Sequence, residues 1–293
     1  MTQILDGKKV REHVLYGLKK EIESLGAPLC LVIIQVGERE DSSTYVRTKK
    51  QFGNDVGVEV RHMSFPESVT TREVLTEIQK LNEDLSVHGI IVQLPLPTAL
   101  EKDTLLNAIH PHKDVDGLGM VNLQKLWEAR EDVILPATTR GILTLLNHYE
   151  IQIAGKKVVI LGRSSLVGKP TALAFLNEDA TVTVCHSKTE DIEEVAKSAD
   201  ILVVAIGKPE FVKKTFVHEN QVVIDVGINS QDYGKLDDEL LLPSLVGDVD
   251  YSEVKEVVKA ITPVPGGVGQ MTVVSLFQNL VAVYKRYRSH DEF

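Results

Sequence analysis

Apolar and polar residues along the chain follow two periods, one typical of amphipathic helices and one of buried strands. Residues 29–36 and 89–94 are nearly unbroken apolar runs, which predict strands of a buried parallel sheet. Helical patterns alternate with these strands, so the sequence predicts an α/β fold. The helical patterns begin after Asp6 and after Thr70 or Thr71, and recur at 122–130 and 141–149.

A second unit begins near residue 151 and shows the same alternation. Its predicted strands and helices end before a segment rich in proline and glycine, 263–269, which is followed by a last amphipathic helix at 271–287. The pattern leaves two placements open for that helix, because it fits either unit. The strands are predicted at 157–162, 181–185, 200–206 and 221–226, and the helices at 168–178 and 189–198.

The turn after the strand 157–162 is a candidate nucleotide site. A glycine at a strand end lets backbone approach a phosphate, and the amides of the following helix attract it. The spacing from Gly162 to Gly168 is not the usual dinucleotide fingerprint, so an ordinary turn is the alternative. Arg163 lies in the turn, and His186-Ser187-Lys188 ends the next strand where an NAD site usually has an acid. These groups favour the 2′-phosphate of NADP.

Composition narrows the class of protein. The 293 residues are 43% hydrophobic, enough for one large core or two ordinary ones, and the two alternating units favour two. The net charge of −10 argues against nucleic acid and anionic membranes as partners. Cys30 and Cys185 lie in apolar runs and have no metal-binding spacing. The N-terminus is charged, and no apolar run is long enough to span a membrane. Together these features predict a cytoplasmic protein without a signal peptide or bound metal.

A polar cluster following the first predicted strand carries candidate chemistry. Asp41 or Ser42 is a natural helix N-cap, which places Tyr45 and Lys49 four residues apart on one helix face. An aromatic ring beside an amine suits a heteroaromatic substrate, because the ring can stack on the substrate and the amine can transfer protons. An exposed lysine and a half-buried tyrosine without function are the alternative. Gln93, at the end of the strand 89–94, is by itself a structural or a ligand residue.

Two loops add further candidates. Asp114 and Asp116 could cap a turn, bind a metal weakly or accept a hydrogen bond from a ring N–H and amino group. Two carboxylates without further ligands nearby argue against a metal. The glycines of 263–269 indicate either close approach of the backbone to a ligand or a complicated turn.

Taken together, these segments resemble the bifunctional methylenetetrahydrofolate dehydrogenase/methenyltetrahydrofolate cyclohydrolase family over essentially the whole chain, in order. The segments that match are Val36-Gly37 with Ser42, Tyr45 and Lys49; 92–97; 113–117; 162–164 with 167–170; 185–187; 225–229; 247–249; and 262–269.

The resemblance implies a two-domain α/β fold with a cleft between the domains. Residues 1–145 and 271–293 would form the folate-binding catalytic domain, and 146–270 a Rossmann-type NADP-binding domain. The last helix is then expected to pack on the first domain. The expected ligands are NADP as co-substrate and tetrahydrofolate derivatives, and the expected assembly is a homodimer joined through the NADP-binding domains.

The resemblance also implies roles for individual residues. Lys49 is the catalytic lysine, Tyr45 stacks on the folate, Gln93 supports the lysine and Asp116 grips the pterin. Arg163, Ser164 and Ser187 hold the 2′-phosphate side of the cofactor. The remaining implied contacts are Gly162, His186 and Ile228 for the cofactor, and Ser42, Val92, Leu94, Pro95, Pro265, Gly266 and Gly267 for the substrate.

The implied function is oxidation of 5,10-methylenetetrahydrofolate with NADP, then hydrolysis to 10-formyltetrahydrofolate, in one-carbon metabolism and purine biosynthesis. Ala137, Thr139 and Gln270 depart from the family motifs Pro-Cys-Thr-Pro and Gly-Pro-Met-Thr. Retention of only one activity is therefore an alternative. The others are an NADP-dependent dehydrogenase of another small substrate and a binding protein without turnover.

Overall fold

The computed structural model describes residues 1–231 and 244–288 and contains two compact units. The six-strand unit comprises Met1–Arg11 and Thr138–Thr272, and the three-strand unit comprises Glu12–Ala137 and Val273–Phe293. The α/β fold predicted from the alternating patterns is confirmed. Among the described helices, none is both long enough and apolar enough to cross a membrane.

The described strands are β1 (Gln3–Ile4), β2 (Leu29–Val36), β3 (Val58–Phe65), β4 (Gly89–Val92), β5 (Lys157–Leu161), β6 (Thr181–Cys185), β7 (Ile201–Val204), β8 (Val222–Asp225), β9 (Asn229–Gln231), β10 (Ser244–Val246) and β11 (Ala260–Ile261). The described helices are α1 (Gly7–Ser24), α2 (Glu40–Val56), α3 (Thr71–Glu83), α4 (Lys102–Ala108), α5 (Met120–Trp127), α6 (Ala137–His148), α7 (Gly168–Asn177), α8 (Ile192–Lys197), α9 (Tyr251–Val254) and α10 (Val268–Arg288).

The sheet of the six-strand unit is parallel throughout, in the order β1-β11-β8-β7-β5-β6. From β5 the chain moves outward to β6 and then returns to the other side of β5 as β7. Such a reversal of strand order leaves a crevice at the carboxyl ends of β5 and β7, which is where open α/β sheets bind ligands. The antiparallel pair β9–β10 follows β8.

The three-strand unit repeats this arrangement on a smaller scale. Its parallel strands follow the order β3-β2-β4, so the chain reverses direction across the sheet between β2 and β4. β2 and β4 are fully buried, as their unbroken apolar sequences predict. The residues after β2 and β4 therefore meet at the edge of the sheet where a ligand crevice is expected.

The start of α2 corrects one prediction. The helix begins at Glu40, with Arg39 as an N-cap that makes no side-chain capping bond, and not after Asp41 or Ser42. By contrast, Thr70 caps α3 with a complete capping box to Glu73, so that prediction is confirmed.

The last helix, α10, has contacts in the three-strand unit. Asn279 donates hydrogen bonds to the carbonyls of Val115 (2.8 Å) and Leu135 (2.9 Å), and Phe277 packs on Phe52 of α2 with ring centroids 4.9 Å apart. The helix therefore packs on residues of the three-strand unit.

Gly53 brings α2 close to β3, and we expect Gly53→Ala to lower the free energy of unfolding by about 1–3 kcal/mol. An added Cβ would lie 2.4 Å from Cγ2 of Val60 and 3.0 Å from the carbonyl oxygen of Val58. Gly17→Ala in α1 is the matched control, because no atom outside the neighbouring backbone of its own helix lies within 4 Å of the added Cβ. Urea denaturation of both variants checks the prediction, and equal stability would contradict it.

Candidate active site

Lys49 and Gln93 meet at the crevice between β2 and β4. Lys49 lies on α2, which follows β2, and its Nζ donates a 2.9 Å hydrogen bond to Oε1 of Gln93. Gln93 follows β4, and its own Nε2 donates to the carbonyl of Leu94 at 2.8 Å. Both side chains are buried, at 8% and 9% exposure. The strand order thus unites two residues that are 44 positions apart in the sequence.

Burial changes the protonation of the lysine. Desolvation lowers the pKa of Lys49, because the charged ammonium loses its water, and the charge of Asp116 acts in the opposite direction. Desolvation likewise raises the pKa of Asp116, which the charge of Lys49 partly offsets. The neutral amide of Gln93 accepts a hydrogen bond from the amine without adding charge. The site therefore favours an amine that is neutral more often than an ordinary lysine.

The two acids of the loop after α4 have different roles. Asp114 is 2% exposed and accepts hydrogen bonds from the backbone amides of Gly117 (3.0 Å) and Gly119 (2.9 Å) and from Nδ2 of Asn122 (2.8 Å). These contacts shape the loop, so Asp114 is the turn-capping acid. Asp116 lies inside that loop and is the carboxylate whose charge acts on Lys49.

The other predicted folate contacts lie around these residues. Tyr45 is 39% exposed and precedes Lys49 by one helical turn on α2. Val92 is 1% exposed in the apolar core, which leaves only its backbone for a ligand, whereas Leu94 is partly buried and Pro95 is exposed. The side chain of Ser42 lies outside the described part of the structure.

Pro265, Gly266 and Gly267 lie in the six-strand unit, in the loop before α10. The carbonyl of Gly266 accepts a 2.8 Å hydrogen bond from the amide of Gly7, and a Cβ on Gly7 would lie 2.1 Å from the carbonyl oxygen of Gly267. The glycines of this loop thus allow close contact with the start of α1, while Pro265 remains exposed.

The predicted nucleotide turn lies at the crevice between β5 and β7. Gly162 has φ +119°, and a Cβ there would lie 2.1 Å from the carbonyl oxygen of Ala205, directly after β7. A Cβ on Gly168 would lie 2.4 Å from the carbonyl oxygen of Gly162. Only glycine fits this tight path from the strand into α7, which is the shape that a bound phosphate needs.

Strand register places the cationic groups on one edge. Leu161 of β5 is opposite Cys185 of β6, and the amide of Gly162 donates to the carbonyl of Cys185 at 3.0 Å. Arg163 and His186 therefore leave adjacent strands at the same level, and Arg163 is exposed to solvent. No acid occupies the end of β6, so the donor set fits the 2′-phosphate of NADP.

Three further cofactor candidates lie on this edge. The Ser164 hydroxyl accepts hydrogen bonds from the amides of Val167 (3.2 Å) and Gly168 (3.3 Å), so it shapes the turn and retains its own proton for a ligand. Ser187, after β6, is exposed, and Ile228, after β8, is 45% exposed.

Known proteins match both units. The family model for the tetrahydrofolate dehydrogenase/cyclohydrolase catalytic domain matches residues 5–116, and the model for the NAD(P)-binding domain of the same family matches residues 136–288. The chain belongs to the tetrahydrofolate dehydrogenase/cyclohydrolase family. The resemblance inferred from the motifs is thereby confirmed, and so is the presence of an NAD(P)-binding domain.

Individual family members agree over almost the full chain. The bifunctional protein FolD of Lacticaseibacillus casei is 43% identical, with 98% of this chain and 99% of the relative covered. The cytoplasmic C-1-tetrahydrofolate synthase of Schizosaccharomyces pombe is 44% identical over 98% of this chain, which spans 31% of that longer protein.

Solved structures of the family superpose on the chain. The bifunctional FolD enzyme of Campylobacter jejuni has a TM-score of 0.91 at 40% identity, covering 98% of this chain and 100% of its own. The Trypanosoma brucei FolD, solved with NADP cofactor and inhibitor, has a TM-score of 0.90 at 36% identity, covering 97% of this chain and 98% of its own.

Two of the three departures from the family motifs, Thr139 and Gln270, have local explanations. The buried Thr139 places its Oγ1 3.1 Å from that of Thr171 on α7, so two buried hydroxyls satisfy each other. The backbone N–H of Gln270, in the first turn of α10, donates a 3.1 Å hydrogen bond to the carbonyl of Gly267, and proline has no N–H to make this bond. Both substitutions form hydrogen bonds that fit the local fold.

Sequence reasoning gave no role to several buried polar residues. Asn279 on α10 holds the loop that carries Asp116, and its signal was an amide pair, Gln278-Asn279, in an apolar helical pattern. Gln35 at the end of β2 donates to the carbonyl of Gly37 at 3.0 Å and lies 3.0 Å from Nε2 of His62. Its signal was a polar residue within the apolar run 29–36.

Proposed function

We propose that this chain carries out both reactions of its family: oxidation of 5,10-methylenetetrahydrofolate with NADP, and hydrolysis of the 5,10-methenyl product to 10-formyltetrahydrofolate. The observation that carries the proposal is the buried Lys49–Gln93 hydrogen bond, with Asp116 acting electrostatically on the same amine. A binding protein without turnover has no need of a buried lysine with a lowered pKa.

The oxidation step needs little acid–base chemistry from the chain. Bound NADP supplies the hydride acceptor, and the nitrogens of the folate stabilise the cation that forms. Gly162, Arg163, Ser164, His186, Ser187 and Ile228 are the residues that we propose hold NADP. Tyr45, Asp116 and the segment 92–95 are proposed to orient the pterin, with Ser42 and the loop 265–267 as further contacts.

The hydrolytic step requires proton movement, which we assign to Lys49. A neutral amine donates one N–H to Gln93 and keeps its lone pair to accept a proton from the attacking water. Burial supplies the neutral amine, and the cationic substrate would lower the pKa of Lys49 further. Asp116 binds the pterin, and its negative charge limits the decrease in the pKa of Lys49.

A direct assay tests the whole proposal. Purified protein is incubated with methylene- or methenyltetrahydrofolate, each with NADP or NAD, and absorbance follows NADPH formation and methenyl hydrolysis. Both activities, with preference for NADP, are expected. Hydrolysis or oxidation alone would indicate a one-activity member. If the folates give no NADPH but another small acid offered in their place does, the chain is a different dehydrogenase; no turnover with any of them would indicate a binding protein.

Gln93→Glu is expected to shift the pH–rate profile of hydrolysis to higher pH. Hydrolysis increases as pH rises through the pKa of Lys49, because only the neutral amine accepts a proton. A carboxylate 2.9 Å from Nζ would stabilise the ammonium and raise that pKa. Gln51→Glu, on the exposed side of α2, is the control. An unshifted profile for Gln93→Glu would remove Lys49 as the titrating base.

We further propose the division into domains and the assembly. Residues 1–145 with 271–293 would bind folate, and residues 146–270 would bind NADP. A homodimer through the NADP-binding domains is supported by β6, an edge strand with Val184 37% exposed, beside α7 with Leu176 55% exposed. Val184→Lys should reduce the mass measured by light scattering to that of a monomer, and a persistent dimer would exclude this edge.

A cytoplasmic location and a role in purine biosynthesis complete the proposal. The fission yeast relative is named as a cytoplasmic enzyme, and the net charge of −10 disfavours nucleic acid and anionic membranes as partners. Fractionation of cells that express the tagged full chain tests the location.

A further inference from the structure

Asp248, before α9 in the six-strand unit, is a fully buried carboxylate surrounded by backbone amides. Its Oδ2 accepts hydrogen bonds from the amides of Ile206 (2.7 Å) and Gly207 (2.9 Å), and its Oδ1 accepts from Lys208 (2.8 Å). Three successive amides, with Gly207 at φ +68°, form the kind of concave nest that binds anions. The loop after β7 thus closes around this one side chain.

The same carboxylate also holds the loop after β8. Oδ1 of Asp248 accepts from Nδ2 of Asn229 at 2.9 Å. On the other side of Ile228, the amide of Gly227 donates to Oδ1 of Asp225 at 2.9 Å, and that oxygen also accepts from the amide of Asp248 at 3.0 Å. Ile228 therefore lies between two residues that carboxylates hold: Gly227 through its backbone amide and Asn229 through its side chain.

Close packing makes this arrangement specific. A Cβ on Gly247 would lie 1.8 Å from Oδ2 of Asp225, and a Cβ on Gly227 would lie 2.3 Å from Cγ of Asp248. Two buried carboxylates next to each other are unfavourable, and burial with the charge of Asp248 raises the pKa of Asp225 to about 7. Apolar residues would fill such a space at lower cost, so the pair has a role besides packing.

The position of the two loops indicates that role. β7 and β8 end on the edge that carries the nucleotide turn, and Gly162 of that turn lies against the carbonyl of Ala205, one residue before Ile206. The loop around Asp248 therefore continues directly from the wall of the predicted cofactor crevice. Any movement of this loop would change the wall.

We propose that Asp248, supported by Asp225, is a positioning residue for NADP. It holds the loops after β7 and β8 in the shape that accepts the cofactor, and presents Ile228 to it. The inference rests on the proposed function, since it needs NADP to bind at this edge. Neither carboxylate takes part in the chemistry.

Asp248→Asn in the full chain tests the proposal. Asparagine has one acceptor oxygen, so its NH₂ group would face amide donors on one side and the loop would shift. We expect the KM for NADP to rise about tenfold, with kcat recovering at saturating NADP, as suits the loss of hydrogen bonds to a charged group. The ratio of dehydrogenase to cyclohydrolase activity at low NADP should fall by a similar factor.

Two further variants make the result decisive. Asp200→Asn is the matched control: its carboxylate also accepts a backbone amide, from Lys157 at 2.8 Å, but at the opposite edge of the same sheet. Asn229→Ala removes a single contact of Asp248 and should raise the KM for NADP about threefold if Asp248→Asn fails to fold. An unchanged KM for NADP in a folded Asp248→Asn or Asn229→Ala variant would overturn the inference, as would an equal rise in Asp200→Asn. Failure of the unmodified protein to use NADP would instead reject the proposed function.

Discussion

Lys49→Met is expected to abolish cyclohydrolase activity, with a loss of about 10²–10⁴-fold, while hydride transfer remains measurable. Methionine has nearly the length of lysine but cannot accept a proton from water. The oxidation step depends on positioning and on the cofactor, so it should be less affected. Hydrolysis of methenyltetrahydrofolate and NADPH formation are measured separately on the same preparation.

Lys50→Met is the matched control, because Lys50 is the next residue on α2 and its Nζ lies 3.4 Å from Nδ1 of His62 instead of Gln93. We expect this variant to keep both activities. If Lys49→Met hydrolysed methenyltetrahydrofolate at the parent rate, Lys49 would have no role as a base. Equal loss of both activities would indicate that Lys49 orients the folate and does not move protons.

Arg163→Ala is expected to weaken NADP binding by about 10–100-fold and NAD binding much less. Hydrogen bonds between a guanidinium and a phosphate are charge-assisted, and NAD lacks the 2′-phosphate that would receive them. Arg163 is exposed to solvent and follows β5, so removal of its side chain leaves no cavity in the core. Titration of each cofactor by calorimetry gives the two affinities.

The control for Arg163 is Lys157→Ala. Lys157 begins the strand that Arg163 follows, so this variant removes an exposed cation from the opposite end of β5. It should leave both cofactor affinities unchanged. An equal loss of NADP and NAD affinity in Arg163→Ala would show that the guanidinium does not recognise the 2′-phosphate.

Local patterns were sufficient to predict most elements and the main residues of the candidate site. β2 spans Leu29–Val36, as its unbroken apolar run indicates, and Thr70 caps α3 because threonine is followed by glutamate at the third helical position. The strand ends likewise placed Gln93 and Arg163 on loops. These predictions succeed because burial and capping act over a few neighbouring residues.

Other features depend on contacts between distant residues, and the sequence alone did not predict them. β3 was not predicted, because its residues Glu59, Arg61 and His62 interrupt the apolar pattern, and its pairing with β2 determines its structure. The predicted N-cap of α2 was wrong, because the helix begins earlier without a side-chain cap. Asp248 received no role, because its partner amides lie about forty residues earlier in the chain.

The pairing of β1 with β11 has a consequence for biosynthesis. Gln3 is opposite Ala260, so this contact joins residues that are 260 − 3 = 257 positions apart. A nascent chain emerges from the ribosome with its N-terminus first. Residues 3–4 can therefore pair with β11 only after residues 260–261 have been synthesised. A truncated gene that starts at residue 138 would produce a sheet with an unprotected margin, which is prone to aggregation.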